Sequence, residues 1–225
     1  MTDQLSSEKP IVLGMTGASG APYAVRLLET LLNRGRQVHL IVSESGAAVI
    51  KQELGVNLAN DVSNIEELFA AYHQLVTPQQ GLSEARRAAE LATSGLLVVH
   101  QPKDYFTPVA SGSHLTEAMV ICPCSGSTLS AIARSASENL IQRAAEVHLK
   151  ERRKLIVVPR ETPLSEFQLE NMLRLSRAGV VVLPAAPGWY HGVSGLKDLV
   201  DFVVARVLDQ LGIPNREISR WAVAN

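Results

Sequence analysis

The chain has 225 residues, 46% of them apolar and 19% charged, a balance that excludes wholesale disorder and suits one domain. Lys and Arg total 21 against 22 Asp and Glu, so a net charge of −1 offers nucleic acid no electrostatic footprint. No apolar run approaches the ~20 residues that cross a bilayer and no signal peptide opens the chain, so the expectation is a soluble cytoplasmic enzyme or ligand-binding domain.

Residues 1–10 are polar and predict a frayed tail, which leaves 11–225 as a single domain. Ile11 to Met15 reads as a short buried strand, and the glycine turn Thr16-Gly17-Ala18-Ser19-Gly20 follows at once. A helix is expected from Pro22 to Asn33, with Leu27, Leu28, Leu31 and Leu32 on its apolar face and Gly35 ending it. Val38 to Val42 is a second strand, interrupted by the polar His39 and closed by Ser43. Strand, glycine turn, helix and strand within about 30 residues make a βαβ unit, which requires a parallel sheet.

Residues 45–54 predict a helix, and polar helical pieces are expected around Glu66–Leu75 and Glu84–Leu91. Gly95 to His100 predicts a strand, and Lys103 to Leu115 a loop rich in Pro, Ser and Gly. The alternation then resumes with strand Ala118–Cys122, a turn over 123–128 opening a helix, and a helix Leu140–Lys150. Strand Leu155–Val158, helix Ser165–Arg177, strand Val180–Leu183 and a last long helix Leu196–Leu211 complete the pattern. The fold class is α/β: one three-layer, doubly wound parallel sheet of flavodoxin-like or Rossmann-like type.

Ligands of such sheets bind outside the carboxyl ends of the strands, and four of those ends carry unusual residues: Thr16 to Gly20, Ser43, Cys124 to Thr128, and Arg160-Glu161. In Gly14-x-x-Gly17-x-x-Gly20 bare backbone can approach an anion, and Ser19 adds a hydroxyl at a helix start. The alternative is a turn that merely lets helix and strand pack. Ser125, Gly126, Ser127, Thr128 and then Ser130 form a second nest of hydroxyls and small residues at a helix start, more than one cap requires. Arg160-Glu161 lies at a strand end near two prolines, an arginine for a phosphate beside a carboxylate for a proton.

Arg143 and Lys150 lie near one helix face, while the run from Glu151 to Lys154 reads as solvated charge. Tyr190 stands in the aromatic loop Pro187–His191, with a hydroxyl able to bond an anion. Arg206, among the valines of the last helix, either snorkels to solvent or points into a pocket. Cys122 and Cys124 are spaced for neither a structural disulfide nor a complete zinc site, and the histidines show no metal-ligand spacing.

Several segments together resemble the UbiX-type flavin prenyltransferase family: 15–20 around Thr16-Gly17-Ala18-Ser19-Gly20, Ala110-Ser111-Gly112-Ser113, Cys122-Pro123-Cys124-Ser125, 143–153, Val158-Pro159-Arg160-Glu161-Thr162-Pro163 and Pro187-Gly188-Trp189-Tyr190-His191. They occur in family order and span residue 11 to Trp221; residues 55–109 carry little of the pattern. The resemblance implies a homo-oligomer, typically a dodecamer, with FMN held between protomers. The implied reaction joins the dimethylallyl group of dimethylallyl phosphate to N5 and C6 of reduced FMN. It is metal-independent and releases phosphate, and the prenylated FMN passes to a UbiD-type decarboxylase.

Carried over position by position, the implied FMN contacts are Gly17, Ala18, Ser19, Ser43, Ser125, Gly126, Ser127, Thr128 and Arg160. The implied prenyl-phosphate contacts are Lys150, Tyr190, Arg206 and Arg143; Glu161 is the acid/base carboxylate and Glu53 a further active-site glutamate. The implied catalytic group is Glu161, Lys150, Ser19 and Glu53. A flavin-dependent cysteine decarboxylase of related fold is the nearest alternative, disfavoured because Ala110–Ser113 and Pro184–Pro187 replace its motifs. A short-chain reductase is disfavoured because no tyrosine precedes a lysine by four residues. A non-catalytic FMN carrier is the third, and a second set of anion-binding residues argues against it.

Overall fold

The computed structural model describes residues 9–58, 63–77 and 81–218. Most of the expected tail over 1–10 lies outside them, as does Trp221. Among the described residues six strands form one all-parallel sheet: β1 (Ile11–Met15), β2 (Val38–Val42), β3 (Leu97–His100), β4 (Ala118–Cys124), β5 (Lys154–Pro159) and β6 (Val181–Val182). Their order is β3-β2-β1-β4-β5-β6, the doubly wound order of dinucleotide-binding folds, so of the two expected types the Rossmann-like one is present.

Among the described residues eight α-helices cover the two faces: α1 (Ala21–Asn33), α2 (Glu44–Leu54), α3 (Ile65–Val76), α4 (Leu82–Leu91), α5 (Gly126–Ala133), α6 (Leu140–Lys150), α7 (Glu166–Arg177) and α8 (Leu196–Leu211). Alternation along the strands decides which core each residue joins. Ile11, Leu13 and Met15 pack with Leu28, Phe69, Val203 and Leu208 on the face of α1, α3, α4 and α8. Val12, Ile41 and Met119 pack with Leu129, Ile141 and Leu175 on the face of α5, α6 and α7. Both faces of the sheet are thus sealed, which is why β1 reads as an uninterrupted apolar run.

Several boundaries move from their expected places, three of them with a visible cause or consequence. The strand predicted from Gly95 starts at Leu97, because residues 92–96 form a wide turn in which Gly95 takes a φ of 103°. β4 runs on through Pro123 to Cys124, with a register shift against β5 after Ile121 that admits the proline. β6 is reduced to two residues. The loop over 103–115 contains one short turn of 3-10 helix, Pro108–Ala110.

The polar interruption in β2 has a partner. His39 Nδ1 lies 2.7 Å from His100 Nε2 on the adjacent strand, and His114 stands against the same ring at 5.2 Å. Burial pushes His39 down to about 4, and the neighbouring His100 and His114 add to the shift. His100 is lowered as well, chiefly by burial. Cys122 and Cys124 are free buried thiols; burial raises both, Cys124 to about 12. Among the described residues no helix is long and apolar enough to cross a membrane.

Candidate active site

β1 and β4 are neighbours in the sheet, and their carboxyl ends form the crevice where the strand order reverses. Thr16, buried at the end of β1, fastens that crevice. Its hydroxyl donates to the Pro123 carbonyl at 2.7 Å and accepts from the Ser125 amide at 2.8 Å. Sequence reasoning places Thr16 in the glycine turn but gives it no role of its own, although a lone threonine between a buried strand and that turn is a usable signal.

Two helices begin in the crevice. Ser43 caps α2, accepting from the Gly46 amide at 3.0 Å, and its hydroxyl lies 3.1 Å from that of Ser45. Ser125 caps α5, accepting from the Thr128 amide at 3.3 Å while sharing hydrogen bonds with the Thr128 and Ser127 hydroxyls at 3.0 and 3.1 Å. The loop after β1 runs tight against α2. A Cβ on Gly17 would fall 2.6 Å from Ser45 Cβ, and one on Gly46 would fall 2.7 Å from the Met15 carbonyl oxygen.

Between the two helix starts lies a cavity of about 330 Å³ whose lining includes Ser43, Ser45, Ser125, Ser127, Thr128 and Ser130, with Arg134 and Glu138 also at its wall. Hydroxyls and two positive helix ends are a donor set suited to a phosphate. The cradle therefore fits the phosphate of FMN; Ser130, noted with the second nest, is among its lining, and Ser45 is a member that sequence reasoning did not assign.

The start of α1 is different. The Glu53 carboxylate, from α2, accepts from the Gly20 amide at 3.0 and 3.1 Å and from the Ala21 amide at 2.8 Å. Gly20 takes a φ of 122° to present its amide there. The anion expected at this helix start is thus supplied by the chain itself. Ser19 lies beside it, and its carbonyl accepts from Arg160 Nε at 3.2 Å. Next to Arg160, the exposed Glu161 carboxylate accepts from the Thr162 amide at 3.3 Å and faces Gln168 Nε2 at 3.5 Å. Gln168, from α7, is another neighbour that the sequence did not flag.

The remaining candidates lie elsewhere. Tyr190 packs edge-on against Phe202 at 5.8 Å, and Arg206 follows Phe202 by one turn of α8, ion-paired with Asp209 at 2.8 Å. Arg206 is half-exposed on the outer face, so it is the snorkelling alternative that holds within one chain. Arg143 Nε donates to the Ala110 carbonyl at 3.2 Å, and Lys150 pairs with Glu151 beside Gly112. The Lys150 hydrogen bond holds the Glu151 carboxyl below its usual range.

α6 runs back along the sheet: its first amide, Leu140, donates to Pro102, and its last residue, Lys150, lies four residues before β5 begins. At about 1.5 Å per residue, its length separates Lys150 from the carboxyl edge by about 15 Å. One chain thus gathers Gly17, Ala18, Ser19, Ser43, Glu53, Ser125–Thr128, Arg160 and Glu161, and it leaves Arg143 and Lys150 on a second surface with the 110–113 loop.

Residues 2–208 match the Flavoprotein family. Flavin prenyltransferase UbiX of Pseudomonas aeruginosa is 46% identical over 217 residues, covering 96% of each chain. The protein of the same name from Halalkalibacterium halodurans is 44% identical over 209 residues, covering 93% of this chain and 91% of its own. The chain belongs to the UbiX flavin prenyltransferase family. A crystal structure of AnUbiX in complex with FMN and dimethylallyl pyrophosphate superposes with a TM-score of 0.77 at 34% identity, over 97% of this chain and 100% of that one. A dodecameric FMN-dependent UbiX-like decarboxylase from Escherichia coli O157:H7 gives 0.76 at 37%, over 95% and 100%. The cysteine decarboxylase TvaF gives 0.53 at 14% identity, a likeness of fold alone. The UbiX family match accords with the motif pattern and separates this chain from that alternative.

Proposed function

We propose that this chain is a flavin prenyltransferase that joins the dimethylallyl group of dimethylallyl phosphate to N5 and C6 of reduced FMN, making prenylated FMN for a UbiD-type decarboxylase. The observation that carries this reading is the presence of two separate groups of anion ligands. A hydroxyl cradle at two helix starts suits one phosphate. The cations Lys150, Arg143 and Arg206, with Tyr190, form outward surfaces that the phosphate of FMN does not require. A carrier needs the first group; a transferase with a phosphorylated donor needs both.

FMN, when bound, supplies the nucleophilic N5 and C6 atoms. Ser43 and Ser125–Thr128 would hold its phosphate, with Gly17, Ala18, Ser19 and Arg160 as its further contacts. Lys150 and Arg206 match the charge that grows on the leaving phosphate, a task of fixed side-chain cations that needs no metal ion. Tyr190 donates to the same phosphate, and Arg143 adds a further positive charge. Glu161, exposed and braced by the Thr162 amide, would act as the acid/base carboxylate of ring closure, giving a proton to the alkene carbon of the transferred group and taking up the one lost from C6. Glu53 fixes the loop that carries Ser19 by binding the amides at the start of α1.

Lys150 lies too far along α6 to serve the cradle of its own chain, so we assign it and Arg143 to the site of a neighbouring copy in a homo-oligomer, a dodecamer. The surface supports such packing: Phe106 is fully exposed, and Phe167, Leu173 and Trp189 also stand out to solvent. We place the enzyme in the cytoplasm, where two buried free thiols are stable, with residues 11–225 acting as one domain.

Anaerobic incubation with reduced FMN and dimethylallyl phosphate, followed by mass spectrometry of the extracted flavin, tests the proposal. A flavin heavier by one five-carbon unit, with phosphate released, is the expected result. Tightly bound but unmodified FMN, with either the mono- or the diphosphate donor, would overturn it in favour of a carrier.

A further inference from the structure

A second cavity, of about 380 Å³, opens beside Ser19, Gly20 and Glu53 on the side of the sheet away from the hydroxyl cradle. Its walls are apolar and come from three helices: Tyr23 of α1, Leu75 and Val76 of α3, and Leu199 and Val200 of α8. Behind these walls the core is charged. Arg26 of α1 donates through Nε to Asp201 of α8 at 2.8 Å and through Nη1 to Glu29 of α1 at 2.8 Å. The other oxygen of Glu29 lies 2.6 Å from His73 Nε2 of α3. Glu29, His73 and Asp201 are essentially inaccessible, and Lys197 closes the chain by pairing with the second oxygen of Asp201.

Stability does not account for this arrangement. Apolar side chains of similar volume in place of a buried ion pair are often as stable or more so. The Tyr72 hydroxyl, buried beside the cluster, has no hydrogen-bond partner among the described residues. Directional hydrogen bonds supply something that apolar contact does not, a fixed distance between elements. Position in the chain shows which distance is fixed. His73 precedes Leu75 and Val76 by two and three residues, and Asp201 directly follows Val200. The far side of the His73 ring is also blocked, since a Cβ on Gly81 would lie 2.0 Å from Nδ1.

We propose that His73–Glu29–Arg26–Asp201 is a positioning relay that ties α3 to α8 through α1, sets the width of the apolar cavity beside Ser19 and Glu53, and thereby sets the fit of the allylic donor's hydrocarbon group. The donor part of this inference rests on the prenyltransferase reading; the tie between the walls does not. None of the four residues touches the reacting atoms.

Two measurements test it. The double variant Glu29→Met/His73→Leu replaces the pair with apolar side chains and should fold, while KM for the donor rises about tenfold with kcat and flavin affinity little changed. Glu29→Gln, which still accepts from Arg26 and donates to the imidazole, should restore the wild-type KM. A folded double variant with unchanged donor KM overturns the proposal. The second measurement needs no variant: by amide hydrogen exchange, residues 73–76 and 199–203 should open together. Independent opening of the two walls overturns the relay. If the wild-type protein makes no prenylated flavin, the functional reading fails while the exchange result still decides whether the walls are tied.

Discussion

The carboxyl edge of the sheet and the outer flank of α6 both carry groups suited to anions, and they are built by opposite means. At the edge, backbone does the work. Helix starts, glycines that admit close approach and hydroxyls already bonded to one another leave little freedom, and Thr16 fastens the two central strands. On the flank, long cations stand half in solvent, paired with their own helix neighbours Glu146 and Glu151. The hydroxyl cradle is built from residues of one chain, whereas cations on flexible stems take their final geometry from whatever docks against them. The first arrangement suits retention of a cofactor, the second a donor that must arrive and leave.

That contrast is broken or sharpened most forcefully through Lys150. Lys150→Ala should lower turnover by about 10²-fold or more while flavin affinity is unchanged, because only the charge on the leaving phosphate loses its match. Gly17→Val should do the reverse and abolish flavin binding, since its side chain would meet Ser45. Co-expressed, the two defective chains should recover part of the activity in mixed oligomers. Failure to recover any would place both groups in the same chain's site.

A smaller effect separates the strand core from both anion surfaces. His39 titrates near 6.5 when unfolded and near 4 when folded. Between those values the unfolded chain binds a proton that the folded chain does not. Stability therefore falls as pH drops through 6.5, by up to about 3 kcal/mol when pH reaches 4. Urea midpoints at pH 7.5 and 5 should show the loss, and His39→Gln should remove much of it. The smallest effect is at the cradle. Ser125→Ala removes the α5 cap and the partner of Ser127 and Thr128, so stability should fall by about 1 kcal/mol in urea melts, with flavin affinity weakened and turnover of the saturated enzyme retained.

Much of the edge was legible in the sequence, because its determinants are local. A short apolar run followed by Thr16–Gly20, Pro22 inside a helix start and Ser43 and Ser125 before helices all act within a few residues of themselves. The boundary errors are local as well: Gly95 reads as the start of a strand, and the structure uses it as the left-handed residue of a wide turn. What the sequence hid are contacts between distant segments. Glu53 meets Gly20 across 33 residues, His73 meets Glu29 across 44, and His39 meets His100 across 61. The separation of Lys150 from the cradle was equally hidden, since a motif in family order says nothing of which copy it serves.

The carboxylate at the start of α1 has a consequence for discrimination among cofactors. In a fold of this strand order that site is where a dinucleotide rests its pyrophosphate. With the Glu53 carboxylate in that seat, the pyrophosphate of a dinucleotide would meet a group of like charge there. A mononucleotide would have no need of that place, which leaves its single phosphate the hydroxyls at α2 and α5.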